Sequence, residues 1–369
     1  MFGNLKKCVY GLGDASLKWY DRVRTVMLSN GCKVSSLDPA LFLWHKDGKL
    51  LGIIAVHVDD FLWSGTKYFE KTVISKLRDI FLIGKEDMKT FKYLGLDIVH
   101  TKTGDIEVFQ DKYTDAIKPI PVNTLRKKDK NSPITASEKE ELNAKVGQLL
   151  WACNQTRPDI SYEVCSLASE QSNATVKHLL SANKAIRKLQ GEDSYLKFQN
   201  LSHNCKLVAY TDASFGNLAN GGSQGAYLIF LVDGDGRCNL ISWQSRKIKR
   251  VVRSSLAAET LAMSDCVDAA VFLSCLYSEM LCGNYDDHYL PVEVVTDNKS
   301  LVGSIKSRKP VTEKRLRIDI SAVKEAVDNS DITQITWVPD KEQLANALTK
   351  QGASTWTLLQ TLGQGVLPL

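Results

Sequence analysis

The chain lacks an apolar stretch that reads as long enough to span a bilayer. The run at 51–58 is too short and is followed by charge. It also lacks a signal-peptide pattern, since Met1-Phe2-Gly3-Asn4-Leu5-Lys6-Lys7 has no apolar core. The nine cysteines are odd in number, scattered, and form no CxxC pair, which argues against a zinc site and a disulfide framework. These features set an intracellular, reducing expectation and no membrane partner. They do not choose between a cytoplasmic, particle-associated location and a nuclear one. The net charge of +5 is too mild to imply nucleic acid by itself. No internal repeat or low-complexity tract interrupts the sequence.

What is present is a chain of 369 residues, 44% hydrophobic and 24% charged, long enough for two or three domains. Two adjacent aspartates, Asp59 and Asp60, stand between apolar segments. Leu51-Gly52-Ile53-Ile54-Ala55-Val56-His57-Val58 precedes them and Phe61-Leu62-Trp63 follows. The flanks read as two strands and the aspartates as the bend between them. Neighbouring carboxylates repel unless a cation neutralises them, and oxygen-only ligands suit Mg²⁺. The same pair is also compatible with an exposed acidic turn.

Before the strand pair, 15–28 has helical spacing; after it, 67–82 reads as an amphipathic helix with Phe69, Val73, Leu77 and Ile80 on one face. The segments 93–98 and 106–109 read as a hairpin. A basic, proline-bearing stretch at 119–137 reads as a linker, and helices follow near 138–153 and 161–190, split by Arg157-Pro158-Asp159. From about 206 the pattern is three strands (206–211, 225–232, 238–244) and a long helix (255–281). A strand at 292–296, helices at 297–306 and 319–328, a strand at 332–338 and a helix at 344–349 complete it. That order predicts an α/β unit with a mixed sheet.

Within this second unit Asp212 ends the first strand, Glu259 lies in the long helix, Asp297 ends the 292–296 strand, and Asn346 begins the last helix. Carboxylates at the ends of neighbouring strands can converge, and a helical glutamate over the sheet can join them. Such a set can hold two Mg²⁺ ions. Taken one at a time, Asp212 or Asp297 could be a helix cap and Glu259 a solvated helix residue. Basic clusters flank these positions: Arg246-Lys247-Ile248-Lys249-Arg250 with Arg253, and the 306–317 segment with Lys314, Arg315 and Arg317. They lie where a phosphate backbone needs countercharge.

In this arrangement the chain resembles the C-terminal part of a copia-type retrotransposon Pol polyprotein, reverse transcriptase followed by ribonuclease H, over nearly its full length. Lys7-Cys8-Val9-Tyr10-Gly11-Leu12 with Ala15 and Trp19 is similar to the family's "YGLKQAPRxW" stretch, and His57-Val58-Asp59-Asp60 to its "YVDD" box. Phe91-Lys92-Tyr93-Leu94-Gly95-Leu96-Asp97-Ile98 is similar to "FLGIEI". Val146-Gly147-Gln148-Leu149-Leu150 through Thr156-Arg157-Pro158-Asp159 is similar to "IGSLLY…TRPD". Tyr210-Thr211-Asp212, Ser254-Ser255-Leu256-Ala257-Ala258-Glu259, Thr296-Asp297-Asn298 and Gln343-Leu344-Ala345-Asn346-Ala347-Leu348-Thr349-Lys350 resemble the four ribonuclease H motifs.

The resemblance implies an α/β and α+β multidomain chain. A partial reverse-transcriptase palm would occupy 1–118, a thumb/connection region 119–200, a ribonuclease H-like mixed-sheet domain 201–350, and a tail 351–369. Asp59 and Asp60 would be metal-binding members of a polymerase site whose third aspartate, on an earlier "DVKTAF"-like strand, is missing, as are the fingers. The expected consequence is no polymerisation by this chain alone. Leu41, Leu43, Ile53, Ile54, Val56 and Phe61 are then expected to be left exposed.

In the ribonuclease H part, Asp212, Glu259 and Asp297 would hold Mg²⁺, or Mn²⁺, with Asn346 as a weaker ligand where the family has aspartate. Ala257 replaces an acidic residue often found two before the glutamate. His57 replaces a tyrosine at the primer end. Tyr93, Leu94 and Gly95 resemble the element that positions the primer, and Arg246, Lys247, Arg253, Lys314, Arg315 and Arg317 would meet backbone phosphates. The implied partners are an RNA–DNA hybrid, or an RNA template with a DNA primer, and the rest of the Pol polyprotein. The expected reaction is metal-assisted hydrolysis of the RNA strand; the alternative is an inactive remnant that only binds nucleic acid.

Overall fold

The computed structural model describes residues 13–191, 195–202, 204–218, 220–284 and 290–368. The 7–12 stretch quoted above lies outside them. Two compact units emerge: Met1–Met88 with Leu273–Tyr289, and Lys89–Phe272 with Leu290–Leu369.

The first unit is a four-stranded antiparallel sheet covered by helices. Helix α1 (Ala15–Ser29) leads into β1 (Lys33–Val34), β2 (Leu41–Lys46), β3 (Lys49–His57) and β4 (Asp60–Gly65), paired in that order. The predicted 67–82 helix is a run of α2 (Lys67–Phe69), a π turn (Glu70–Ile74) and α3 (Ser75–Phe81). The Thr66 hydroxyl caps its start by accepting from Phe69 N–H at 3.2 Å. Val23, Met27, Phe42, Ile54, Phe69 and Val73 are completely buried in one cluster. Each buried side chain of this size contributes about 1.5–3 kcal/mol. Gly52 and Gly65 face each other across β3 and β4, and both leave room for the Phe69 ring. A Cβ at Gly52 would lie 2.2 Å from Phe69 Cγ.

The expectation of an exposed apolar face here is corrected. Leu43 and Ile54 are buried, and Leu41, Ile53, Val56 and Phe61 are half-buried. Phe42 and Ile54 pack on the helices of this unit, while His45, on the same side of β2 as Leu43, bonds the Met280 carbonyl at 2.9 Å. Both sides of the strand therefore have neighbours within the unit.

The second unit carries two sheets. Strands β5 (Thr90–Tyr93), β6 (Leu96–His100), β7 (Ile106–Phe109) and β8 (Leu196–Phe198) form one, all antiparallel. Helices α4 (Asp111–Asp115), α5 (Ala136–Gln155), α6 (Ser161–Glu170) and α7 (Val176–Gly191) follow. A capping box starts α5: Thr135 accepts from Glu138 N–H, and Glu138 accepts from Thr135 N–H at 2.8 Å. The single helix predicted at 161–190 is broken at Gln171–Asn173, where Ala174 turns extended and the Thr175 N–H is taken by His178 Nδ1 at 2.9 Å. Arg157 and Asp159 form a buried bidentate pair at 2.8 and 2.9 Å, and Arg157 Nη1 also donates to the Leu189 carbonyl.

The other sheet is mixed. Strands β9 (Lys206–Ser214), β10 (Gln224–Val232) and β11 (Cys238–Lys247) are antiparallel, and β12 (Val292–Thr296) and β13 (Gln334–Trp337) run parallel to β9. The order across the sheet is β11-β10-β9-β12-β13. Helices α8 (Ser255–Cys282), α9 (Lys299–Lys306), α10 (Lys314–Asp328) and α11 (Trp356–Gln364) accompany it. Helix α10 starts five residues before its predicted position, because Leu316 begins the buried stripe continued by Ile320 and Val323. The predicted helix at 344–349 is a 3₁₀ turn, Leu344–Leu348.

One correction concerns α8. By length and composition it is apolar enough to cross a membrane, contrary to the reading of the sequence above. Its Ala257, Ala258, Ala262, Met263, Cys266 and Ala270 are buried within the protein, and Phe272 is exposed.

Candidate metal centre

Strand register brings the carboxylates together. The parallel pairing of β12 with β9 sets Val295 beside Tyr210. Two residues further on, Asp297 comes level with Asp212. Asp212 lies within β9, which runs three residues past its predicted end at 211, to Ser214. Glu259 is in the first turns of α8. One oxygen from each of Asp212, Glu259 and Asp297 lies within 4.8 Å of the others. Asp212 is 1% exposed and Glu259 5%. Asp297 is not a helix cap; Asn298 caps α9, its Oδ1 accepting from Leu301 N–H at 2.9 Å. The Asp297 carbonyl instead accepts from Trp337 Nε1 at 2.9 Å.

This packing is electrostatically unfavourable without a cation. Burial raises Glu259 strongly, and the charges of Asp212 and Asp297 add to it. Burial also raises Asp212 and Asp297, with Lys350 acting against the rise in each. Glu259 Oε2 is buried and has no hydrogen-bond donor. A buried carboxylate oxygen lacking a partner costs free energy that a coordinated ion would recover. Three carboxylates with one bare oxygen fit a hard divalent cation.

Asn346 is held beside this cluster. Its Nδ2 donates to the Asp340 carbonyl at 2.8 Å and to Asp340 Oδ1 at 3.1 Å, while its Oδ1 accepts from the Lys350 ammonium. Thr349 donates its hydroxyl to Asp212 Oδ2. Lys350 Nζ is 4.0 Å from Asp212 Oδ1 and 3.1 Å from Asp340 Oδ1. Burial works against the Lys350 charge, but Asp212, Asp340 and Asp297 outweigh it and hold its pKa above the ordinary lysine value. Thr349, Lys350 and Asp340 had no role in the sequence reading. The four-residue step from Asn346 to Lys350 was the available sign, since that spacing places two side chains together on a helical turn.

Asp59 and Asp60 lie in the first unit at the tight β3–β4 turn and are exposed. Val58 there has φ 54°, and its carbonyl accepts from Trp19 Nε1. His57 is exposed rather than packed. Among the described residues, three His, Cys, Asp or Glu side chains converge only at Asp212, Glu259 and Asp297. Tyr93 ends β5, and Leu94 and Gly95 form its two-residue turn into β6 with φ 50° and 78°. That pattern is the twisted turn favoured in hairpins, unusual for leucine.

The basic residues differ in their surroundings. Arg246 pairs with Asp265 at 2.6 Å and Arg250 with Asp319 at 2.9 Å. Arg317 donates through Nε to the Val311 carbonyl. Arg253, Lys314, Arg315 and Arg317 are exposed, and Lys247 is half-buried.

No family model matches the chain. It is 28% identical over 362 residues to the retrovirus-related Pol polyprotein from transposon RE2 of Arabidopsis thaliana, covering 94% of this chain. It spans about a quarter of that polyprotein, 24%. It is 30% identical over 278 residues to the putative transposon Ty5-1 protein of Saccharomyces cerevisiae, covering 70% of this chain and 86% of that protein. Ribonuclease H1 from Halobacterium salinarum has 20% identity and a TM-score of 0.30, covering 39% of this chain and 94% of the other. On this sequence similarity, spread over nearly its whole length, the chain belongs to the copia-type retrotransposon Pol family.

Proposed function

We propose that the 201–350 segment hydrolyses the RNA strand of an RNA–DNA hybrid. The observation that carries this reading is the convergence of Asp212, Glu259 and Asp297 with one Glu259 oxygen left bare. A divalent cation, when bound there, activates water and stabilises the leaving oxygen in phosphoryl chemistry. The chain's own residues do the rest. The three carboxylates hold the cation. Thr349 orients Asp212, and Trp337 ties the Asp297 backbone to the edge strand. Arg253, Lys314, Arg315 and Arg317 meet backbone phosphates, and contacts to 2′-hydroxyls select RNA. Asp59 and Asp60 would belong to a separate polymerase site that needs a further carboxylate.

A labelled RNA–DNA hybrid incubated with the chain, in Mg²⁺ and then Mn²⁺, tests this. Cleavage that disappears in Asp212→Asn supports the reading, and a rise in Asn346→Asp would support Asn346 as a weak fourth ligand. Hybrid binding without cleavage by the folded native chain would establish a binding-only remnant instead.

A further inference from the structure

The two oxygens of Asp212 face different partners. Oδ2 accepts from Thr349, and Oδ1 has the Lys350 ammonium 4.0 Å away. That ammonium is also 3.1 Å from Asp340 Oδ1 and donates to Asn346 Oδ1. Two carboxylate oxygens and one amide oxygen thus converge on a single positive charge. This is the ligand chemistry of a hard divalent ion, here directed at a lysine. An ammonium has three donors and is a compact point charge, so it can serve all three oxygens.

Asn346 is oriented for that arrangement. Both contacts of its Nδ2 are to Asp340, which turns its Oδ1 toward Lys350. An aspartate at 346 could not donate to Asp340. Glu259 Oε2 differs from these oxygens: it is buried and has no hydrogen-bond partner, the Lys350 ammonium included. The Asp212, Asp340 and Asn346 oxygens therefore have a built-in cation, while one buried Glu259 oxygen has no donor.

We infer that the Lys350 ammonium occupies the position of a second cation, so that this centre takes one divalent ion, held by Asp212, Glu259 and Asp297. The inference rests on the metal-binding reading of those three residues. Lys350 is then a positioning residue that holds Asp212, Asp340 and Asn346 in place of an ion.

Mn²⁺ binding to the full chain, measured by isothermal titration calorimetry and by electron paramagnetic resonance of the free ion, tests it. The native chain is expected to bind one equivalent. Lys350→Met is expected to bind two, the second at least about tenfold tighter than any second binding by the native chain, because a unit charge a few ångströms away is gone. Lys350→Arg keeps the charge and is expected to stay at one. A single equivalent in the native chain and in folded Lys350→Met would overturn the inference while leaving the three-carboxylate site intact. Two equivalents of similar affinity in the native chain would overturn it as well. No binding by the native chain or by either variant would overturn the metal-binding reading and this inference with it.

Discussion

Thr349 donates its hydroxyl to Asp212, a contact between a fully buried threonine and a carboxylate that is 1% exposed. The residue beside a basic side chain at the end of the 3₁₀ turn thereby fixes the orientation of the central carboxylate. Thr349→Val keeps the shape and removes the donor. Without metal it is expected to lower stability by about 1–3 kcal/mol, the cost of an unsatisfied buried group. Saturating Mg²⁺ should recover part of that loss, because a ligand bound only by the folded state stabilises it. Urea denaturation with and without Mg²⁺ measures both effects.

Arg157 and Asp159 make their two hydrogen bonds with 4% and 0% of their side chains exposed. Removing one partner strands a buried charge. Asp159→Leu and Arg157→Met are each expected to cost about 3–5 kcal/mol, and the double variant much less than their sum. Urea midpoints of the three variants form the cycle; strict additivity would show that the pair is not coupled.

Glu293 bridges two elements, accepting from Lys206 at 2.6 Å and Thr336 at 2.6 Å. Burial pushes its carboxyl up, but these two bonds outweigh it and hold the pKa below the ordinary 4.5. A carboxyl lowered by folding stabilises the folded state above the unfolded value and loses that contribution as pH falls through the lowered one. The expected consequence is a decline of stability below about pH 4.5, shallower in Lys206→Met. Thermal melts from pH 3 to 7, the range spanning ordinary carboxylate pKa values, give the comparison.

Arg246 is held by Asp265, whereas Arg253 is exposed. If the flanking cluster meets phosphates, Arg253→Ala should weaken hybrid binding at all sequences. It should reduce the slope of log affinity against log salt by about one phosphate contact, ~0.9 for B-form DNA. Arg246→Ala should change that slope less, since its charge is already shared. Fluorescence anisotropy over a salt series distinguishes the two.

Much of the second unit was legible in the residues. The β-branched runs and turn residues located β9 to β12 and the span of α8, but not the apolar length of that helix. Motif order placed Asp212, Glu259 and Asp297 in one region. The break between α6 and α7 was not legible, because it depends on His178 capping Thr175 rather than on a proline or glycine. The early start of α10 was masked by its basic first turn, where only Leu316 reveals the buried side.

The sequence by itself determined the family, the order of the strands along the chain, and which carboxylates could act together, because these follow from residue type and spacing. Only the tertiary structure decided that β9 and β12 lie side by side in parallel, since pairing joins segments about eighty residues apart. It alone brought the Lys350 ammonium to Asp212 and turned Asn346 toward it. Charge at such a site is set by distance and burial, and neither is written in a linear pattern.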